Sequence, residues 1–462
     1  MDEAQKSTSP STTTTEHFFN DDLVKDLFKE VEHSQLEERG WRNLRCASFH
    51  PSDPVLACGL MDGDDGRVVL LKGLNHSVPF SNWEIERQLE CEKESMYSLG
   101  WNLDGTQLAA SCWLGKIFVW RYPSGELLFE KKHPSTHPKL YWNRFNRDIL
   151  ATLYDNGTKV VGNGKELLIW NTALKNPNTH NIASEFDFCC IDWMSYNRFA
   201  CGYDNGTIEM RHINEESMKN NQQGITSIIF GKKQSIVRST KVLKTFIHNF
   251  IGEVRCVAWN EILKILASCS WDGWIQIWSK ESDSPIYSLE VKCDAFSLVW
   301  SPRGIRMDDR IEAPEIPFIA CGLRNGSIVL WSPLESEMEP RYLEKHTSQV
   351  QQVLFSPDGM FLASDAYLEK AIVWSTKNWE NLTGSTFSNP AGDFPYQLSW
   401  DASSRKLASQ DLPDVGDDLF RHSRVTTKLF TNHFKKRMTG VINPSTVPLQ
   451  LRLISYVTEK GT

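Results

Sequence analysis

The sequence predicts an all-β protein: a closed β-propeller of eight small four-stranded sheets, with seven blades as the alternative count. Three observations predict it. A short alternating run ending in Trp or Phe occurs eight times, with its last residue at Phe49, Trp101, Trp142, Trp193, Trp259, Trp300, Phe355 and Trp400. Successive copies are 52, 41, 51, 66, 41, 55 and 45 residues apart, close to the period of a four-stranded blade with its turns. Trp is also far above ordinary usage, at 17 residues. Large aromatics suit the widening space between radially stacked sheets, so most of these Trp are expected in the core.

Within a copy the elements follow in a fixed order. The alternating run is the first strand. A small-residue apolar run comes next, at 108–112, 266–270, 319–322, 362–364 and 407–409. Such a run reads as a strand buried on both faces. A third run ends in Trp at 117–120, 167–170, 275–278, 328–331 and 371–374. In three copies the first and third anchors are 19 residues apart (101 to 120, 259 to 278, 355 to 374), room for strands of about five residues and tight turns. Turn residues join the first strand to the second, as in Asn102-Leu-Asp-Gly105 and Ser356-Pro-Asp-Gly359. Asn/Asp-Gly hairpins join the second to the third, at Asp155-Asn-Gly157, Asp204-Asn-Gly206, Asp272-Gly273 and Asn325-Gly326.

The ends and insertions divide the chain into a leader at 1–40, a propeller at 41–430 with an insertion at 214–241, and a basic extension at 431–462. Residues 7–15 are expected to be disordered. Apolar residues at 19, 23, 24, 27, 28 and 31 have helical spacing. They predict a short amphipathic helix within 17–39, either a cap on the propeller or a partner-binding element. Over 1–40 there are ten acids and four bases. The stretch 305–317 is expected to be a loop. The third strand of the last blade is placed at 423–430, with residues before Arg45 closing the sheet. Residues 433–437 are basic, a solvated surface or an import or nucleic-acid patch.

Composition narrows the function. The net charge is −8, which argues against a generally nucleic-acid-coating surface; no sequence-specific nucleic-acid binding is expected. No run reaches the ~18 apolar residues of a membrane span, and no secretory leader is visible. The eleven Cys form no CxxC pair and sit mostly in apolar runs, so they are expected to be reduced core thiols. No phosphate loop, GxSxG, HExxH or EF-hand pattern occurs. His133 and His137 lie in a Pro-rich loop, not on a helix, so no metal is assigned to them. No catalytic residue, metal or cofactor is expected.

These repeats resemble WD repeats. A WD repeat often carries a buried tetrad of Asp, His, Ser/Thr and Trp. Copy five keeps Asp272, Ser268 and Trp278, but His248 stands two residues early. Copy seven keeps His346, Ser364 and Trp374, with Leu368 in place of the turn Asp. Copy four has Arg211 where Trp is expected. In WD propellers the residue four before the first anchor faces the central opening at one face. Here those residues are Arg45, Tyr97, Pro138, Cys189, Arg255, Phe296, Gln351 and Tyr396. The turns after the second strands add Trp113, Tyr154, Tyr203, Trp271, Leu323 and Tyr367. From these, the expected partner-binding set is Arg45, Tyr97, Trp113, Tyr154, Tyr203, Arg255, Trp271, Phe296, Gln351, Tyr367 and Tyr396. Tyr, Trp and Arg are enriched at interaction hot spots, so the set favours docking of a peptide or protein. Capture of methyl-lysine by cation–π contacts is the alternative.

The segment 264–279 (KILASCSWDGWIQIWS), the Trp300-Ser-Pro turn with the insertion after it, 355–364 (FSPDGMFLAS) and 99–110 (LGWNLDGTQLAA) are similar to the transducin β-like 1 family. The resemblance runs from about residue 44 to 409. It implies a nuclear, non-enzymatic adaptor in transcriptional corepressor–histone deacetylase complexes, with corepressor, deacetylase and histone tails as partners. An adaptor in another assembly (ubiquitin ligation, RNA processing or trafficking) and a propeller enzyme are the competing classes. The nucleus is the expected location, with the cytoplasm as the alternative, and the oligomeric state is left open.

Overall fold

The computed structural model describes residues 44–411 with internal gaps, the longest at 156–165, 215–239, 303–316 and 384–397. It also describes 31–32, 426–431 and 452–455. Among these residues there is no α-helix, and the strands form eight sheets. Six are four-stranded antiparallel meanders in chain order. The first strands of blades one to eight are Leu44–Phe49, Met96–Trp101, Thr136–Trp142, Phe188–Ser195, Val254–Asn260, Ala295–Trp300, Val350–Phe355 and Ser399–Trp400. Every repeat anchor of the sequence lies in one of them.

Burial follows position within the blade. The second strands Gln107–Cys112, Ile265–Ser270 and Phe361–Ala366 are buried at every residue, which is why their sequences are continuous small apolar runs. The outer strand Glu126–Lys132 is largely exposed, with Phe129 turned inward. The turns have the expected chemistry: Gly206, Gly273 and Gly326 take φ of 84°, 79° and 87°, a region open to Gly at no steric cost.

The core is divided among the seams between blades. Eight apolar clusters occur among the described residues, each joining two neighbouring sheets. Because side chains alternate along a strand, Ala57 packs toward blade two while Leu56 and Cys58 pack toward blade eight. The last cluster sets Ala408 of blade eight against Ala47, Phe49 and Trp83 of blade one, so the ring closes.

A second tie accounts for many of the Trp. The indole Nε1 of a first-strand anchor donates to the carbonyl just before the anchor of the preceding blade. This occurs at Trp101–Ser48 (3.1 Å), Trp142–Gly100 (2.8 Å), Trp193–Tyr141 (3.0 Å), Trp300–Ala258 (2.9 Å) and Trp400–Leu354 (3.3 Å). The innermost strands also have one edge without a sheet partner, and its amides need acceptors. Side chains of the preceding blade supply some: Ser399 to Phe49 N, Asp192 to Trp259 N, Ser297 to Val353 N and Gln352 to Leu398 N.

Two tetrad expectations are corrected. His248 does complete the network of blade five: its Nδ1 lies 3.0 Å from Asp272 Oδ2, its Nε2 2.7 Å from Ser268 Oγ, and Trp278 Nε1 donates to the same oxygen at 2.8 Å. The segment between His248 and Val254 is two residues longer than that between His346 and Val350, so the offset misleads while the contact is kept. In blade seven Glu369 replaces the turn Asp. Its longer side chain reaches His346 Nδ1 at 2.9 Å from a longer turn, and Ser364 and Trp374 complete the set. Leu368 lies outside the described residues. Blade four behaves as expected of a blade without its Trp. Arg211 forms a different network with Glu209 and Thr240, and Tyr203 donates to Glu209.

The ends of the chain meet in blade eight. Its second strand, Lys406–Asp411, pairs along one edge with both Thr426–Thr431 and Arg452–Ser455. Val31–Glu32 then pairs with Arg452–Ser455. The third strand therefore falls near the expected 423–430. The N-terminal strand does enter the sheet, but on the C-terminal strand. Within the helix expected at 17–39, the two described residues are extended; the others lie outside the described residues, as do 433–437 and all but the ends of 214–241 and 305–317.

Candidate binding face

In seven blades the register of the first strand shifts near its start, between Leu44 and Cys46, Met96 and Ser98, Thr136 and Lys139, Phe188 and Cys190, Val254 and Cys256, Ala295 and Ser297, and Val350 and Gln352. The residues at these shifts include Arg45, Tyr97, Pro138, Cys189, Arg255, Phe296 and Gln351, the positions singled out by spacing. A bulge breaks the ladder and re-aims a side chain. Repeated in seven blades, it re-aims the residues at the start of each first strand. Arg45, Cys189, Arg255, Phe296 and Gln351 are half-buried, Tyr97 is buried, and Tyr396 lies outside the described residues.

Two clusters form where a bulge residue meets the end of a second strand and the bulge of the next blade. Between blades five and six, the Arg255 guanidinium lies 5.2 Å from the Trp271 ring and 5.4 Å from Phe296, while Nη1 donates to Glu253 at 2.8 Å. Trp271 is 44% exposed, which makes it the most accessible of the described aromatics in the expected set. Between blades two and three, Tyr97, Trp113 and His137 pack edge to face, with centroids 5.9, 5.4 and 4.1 Å apart. His137 has φ 55°, a left-handed backbone at the bulge that turns its ring onto Trp113. His137 and Glu253 were not in the expected set. The only sequence signal for either was proximity to a bulge position.

Tyr154 and Tyr203 do not belong to this face. They are 0% and 1% exposed. Tyr203 pairs with Phe188 inside the second strand, whereas Trp113, Trp271 and Tyr367 follow the strand and bond back to Ser95, Glu253 and Gln349. Tyr203 is one residue early, which by the two-residue period turns its side chain into the seam. Tyr154 likewise lies inside its strand, which ends at Asp155, and it packs against His133. Leu323 is also one residue early and fully buried. Arg324 takes the position equivalent to Trp271 and pairs with Asp294 at 2.7 Å. Tyr367 is half-buried at the rim of blade seven.

Burial lowers the Arg45 pKa, and burial raises that of Asp192, whose carboxylate accepts Trp259 N and lies 3.1 Å from Arg144. All eleven cysteines are free and eight are buried; burial pushes Cys91 and Cys201 up to about 12. These thiols stay protonated at neutral pH, as expected of core packing residues. Among the described residues no group of three or more His, Cys, Asp or Glu is placed to hold a metal ion.

Residues 241–279 match the family model described as WD domain, G-beta repeat. That span covers the outer strand of blade four and the first three strands of blade five, the blade with the Asp272–His248–Ser268–Trp278 network. The cilia- and flagella-associated protein 337 B of Tetrahymena thermophila is 26% identical over 128 residues, 28% of this chain and 9% of that protein. The aligned stretch is thus under a tenth of that relative's length. Among solved structures, the C-terminal WD40 domain of Sif2 superposes with a TM-score of 0.58 at 15% identity, over 83% of this chain and 95% of that one. The computationally designed Ika8 protein superposes with a TM-score of 0.53 at 14% identity, over 83% and 96%. These likenesses establish the WD40 β-propeller fold.

Proposed function

We propose that this chain is a non-enzymatic docking scaffold that seats a protein segment on the bulge-bearing face. The observation that carries this reading is the Arg255–Trp271–Phe296 cluster: an exposed indole and a half-buried Arg at the rim, the residue types that dominate interface energetics. Both ring faces near Arg255 are already served by its own guanidinium. That favours protein docking over methyl-lysine capture at this cluster.

The residue-level resemblance to the transducin β-like 1 family supports a finer reading. The chain would act as an adaptor subunit of a nuclear corepressor–histone deacetylase assembly, with corepressor, deacetylase or histone tails as partners. The sequence relationship to a cilia- and flagella-associated protein favours a second reading, an adaptor in a different assembly. Affinity purification of the tagged full chain from native cells, with imaging, separates the two. Nuclear location with co-purified deacetylase is the expected result. A cytoplasmic or ciliary distribution with other machinery would overturn the nuclear reading and leave the scaffold reading standing.

A further inference from the structure

Two histidines near the closing seam face opposite chemistry. His50 Nδ1 accepts the amides of Ser52 (3.2 Å) and Asp53 (2.9 Å), while Nε2 faces Gly105 O at 3.0 Å. One nitrogen must accept and the other must donate, so His50 is neutral, and burial depresses its pKa. His76, in the loop after the third strand of blade one, faces two acceptors. Its Nε2 lies 2.9 Å from Ser52 O, so that nitrogen carries a proton. Its Nδ1 lies 3.3 Å from Asp401 Oδ2 in blade eight, at ion-pair distance. That contact is an ion-pair contact and not an aligned hydrogen bond, so its attraction needs the charge on the ring. Only the imidazolium suits both partners.

Blade eight is built to keep that carboxylate ionised. Asp401 is buried, and it accepts Arg405 N (2.7 Å), Lys406 N (2.6 Å) and Ser403 Oγ (2.5 Å). Lys406, also buried, donates Nζ to His76 O and lies 5.4 Å from the Trp83 ring of blade one. Arg405 donates to Ser77 Oγ at 2.9 Å. The charged and titratable groups around His76 are thus Asp401, Lys406 and Arg405 across the seam, and His50 and Asp53 beyond Ser52.

We propose that the seam between blades one and eight is a proton-operated latch, fastened when His76 is protonated and loosened when it is neutral. The direction of the pKa shift agrees: the ionised Asp401 carboxylate facing Nδ1 raises it against the opposing effect of burial. A raised histidine pKa gives stability that is full below the value in the open chain and is lost as pH rises through the closed value. Lys406 is depressed to about 8 by burial, a shift of the opposite sign, so its own titration makes the seam more stable, not less, as pH rises.

Hydrogen exchange of the full chain between about pH 5.5 and 7.5 tests the latch, read on peptides covering 47–58 and 401–411 in wild type and His76→Gln. After correction for intrinsic exchange, the wild-type seam should open more readily as pH rises. The change is about tenfold for each unit by which the His76 pKa differs between closed and open states. His76→Gln should lose this dependence. Equal pH dependence in both proteins would overturn the latch. If His76→Gln does not fold, the wild-type His76 ring resonance decides: a midpoint above 6.5 supports the latch, and one at or below it overturns the latch.

Discussion

Replacing Ser268 by Ala is expected to be the most damaging loss of a single oxygen in blade five. The hydrogen-bond directions follow for a neutral His248 ring. Asp272 accepts, so His248 Nδ1 donates to it, and His248 Nε2 is left as an acceptor. Ser268 O–H then donates to Nε2 at 2.7 Å and receives Trp278 N–H at 2.8 Å. All three residues are buried, with Ser268 and Trp278 at 0% exposure. Alanine strands two buried polar atoms, each costing about 1–3 kcal/mol, so the expected loss is about 2–6 kcal/mol. Blade two shows the natural alternative: Ala110 sits at the equivalent register, and Trp120 stacks on Phe118 at 5.4 Å. Denaturant unfolding gives the global loss, and hydrogen exchange in 254–279 locates it. A loss below about 0.5 kcal/mol, the scale of an ordinary surface change, would refute the directional network.

Three further outcomes are expected. Trp300→Phe removes the indole bond to Ala258 O (2.9 Å) but keeps most of the apolar bulk, and should cost about 1 kcal/mol in denaturant unfolding. Glu369 is pushed up by burial but held at about 2 by hydrogen bonds from His346 and Thr347, which outweigh burial. A depressed carboxylate stabilises above its unfolded value, and that stability is lost as pH falls, so up to about 3 kcal/mol should disappear between about pH 4.5 and 2. Acid titration of Glu369→Gln should lack that component. Trp271→Ala should weaken partner affinity by about tenfold or more, the cost of a hot-spot residue, with little change in unfolding midpoint; calorimetry with the captured partner reads both.

The wheel was legible because its seams demand large aromatics at a regular period, and Trp101, Trp142, Trp193, Trp300 and Trp400 meet that demand with both bulk and an indole donor. The tetrads were less legible. Contact geometry holds His248 and Glu369, whereas offset along the chain floats with the length of the neighbouring loop or turn. The proposed binding face was partly legible. Spacing located the bulge residues, because each bulge sits at a constant distance before its anchor. It misplaced Tyr154 and Tyr203 because one residue of register reverses a strand's face, and composition carries no mark of that reversal. Arg324, His137 and Glu253 escaped because their role depends on what the adjoining blade presents.

The most direct measurement is the exchange footprint of the captured partner on the full chain. Docking on the bulge-bearing face should protect peptides covering 252–273, 294–298 and 95–115, the stretches with Arg255, Trp271, Phe296, Tyr97 and Trp113. Protection confined to the opposite turns at 102–106, 196–198 and 260–264, or no protection by a partner that binds, would contradict it.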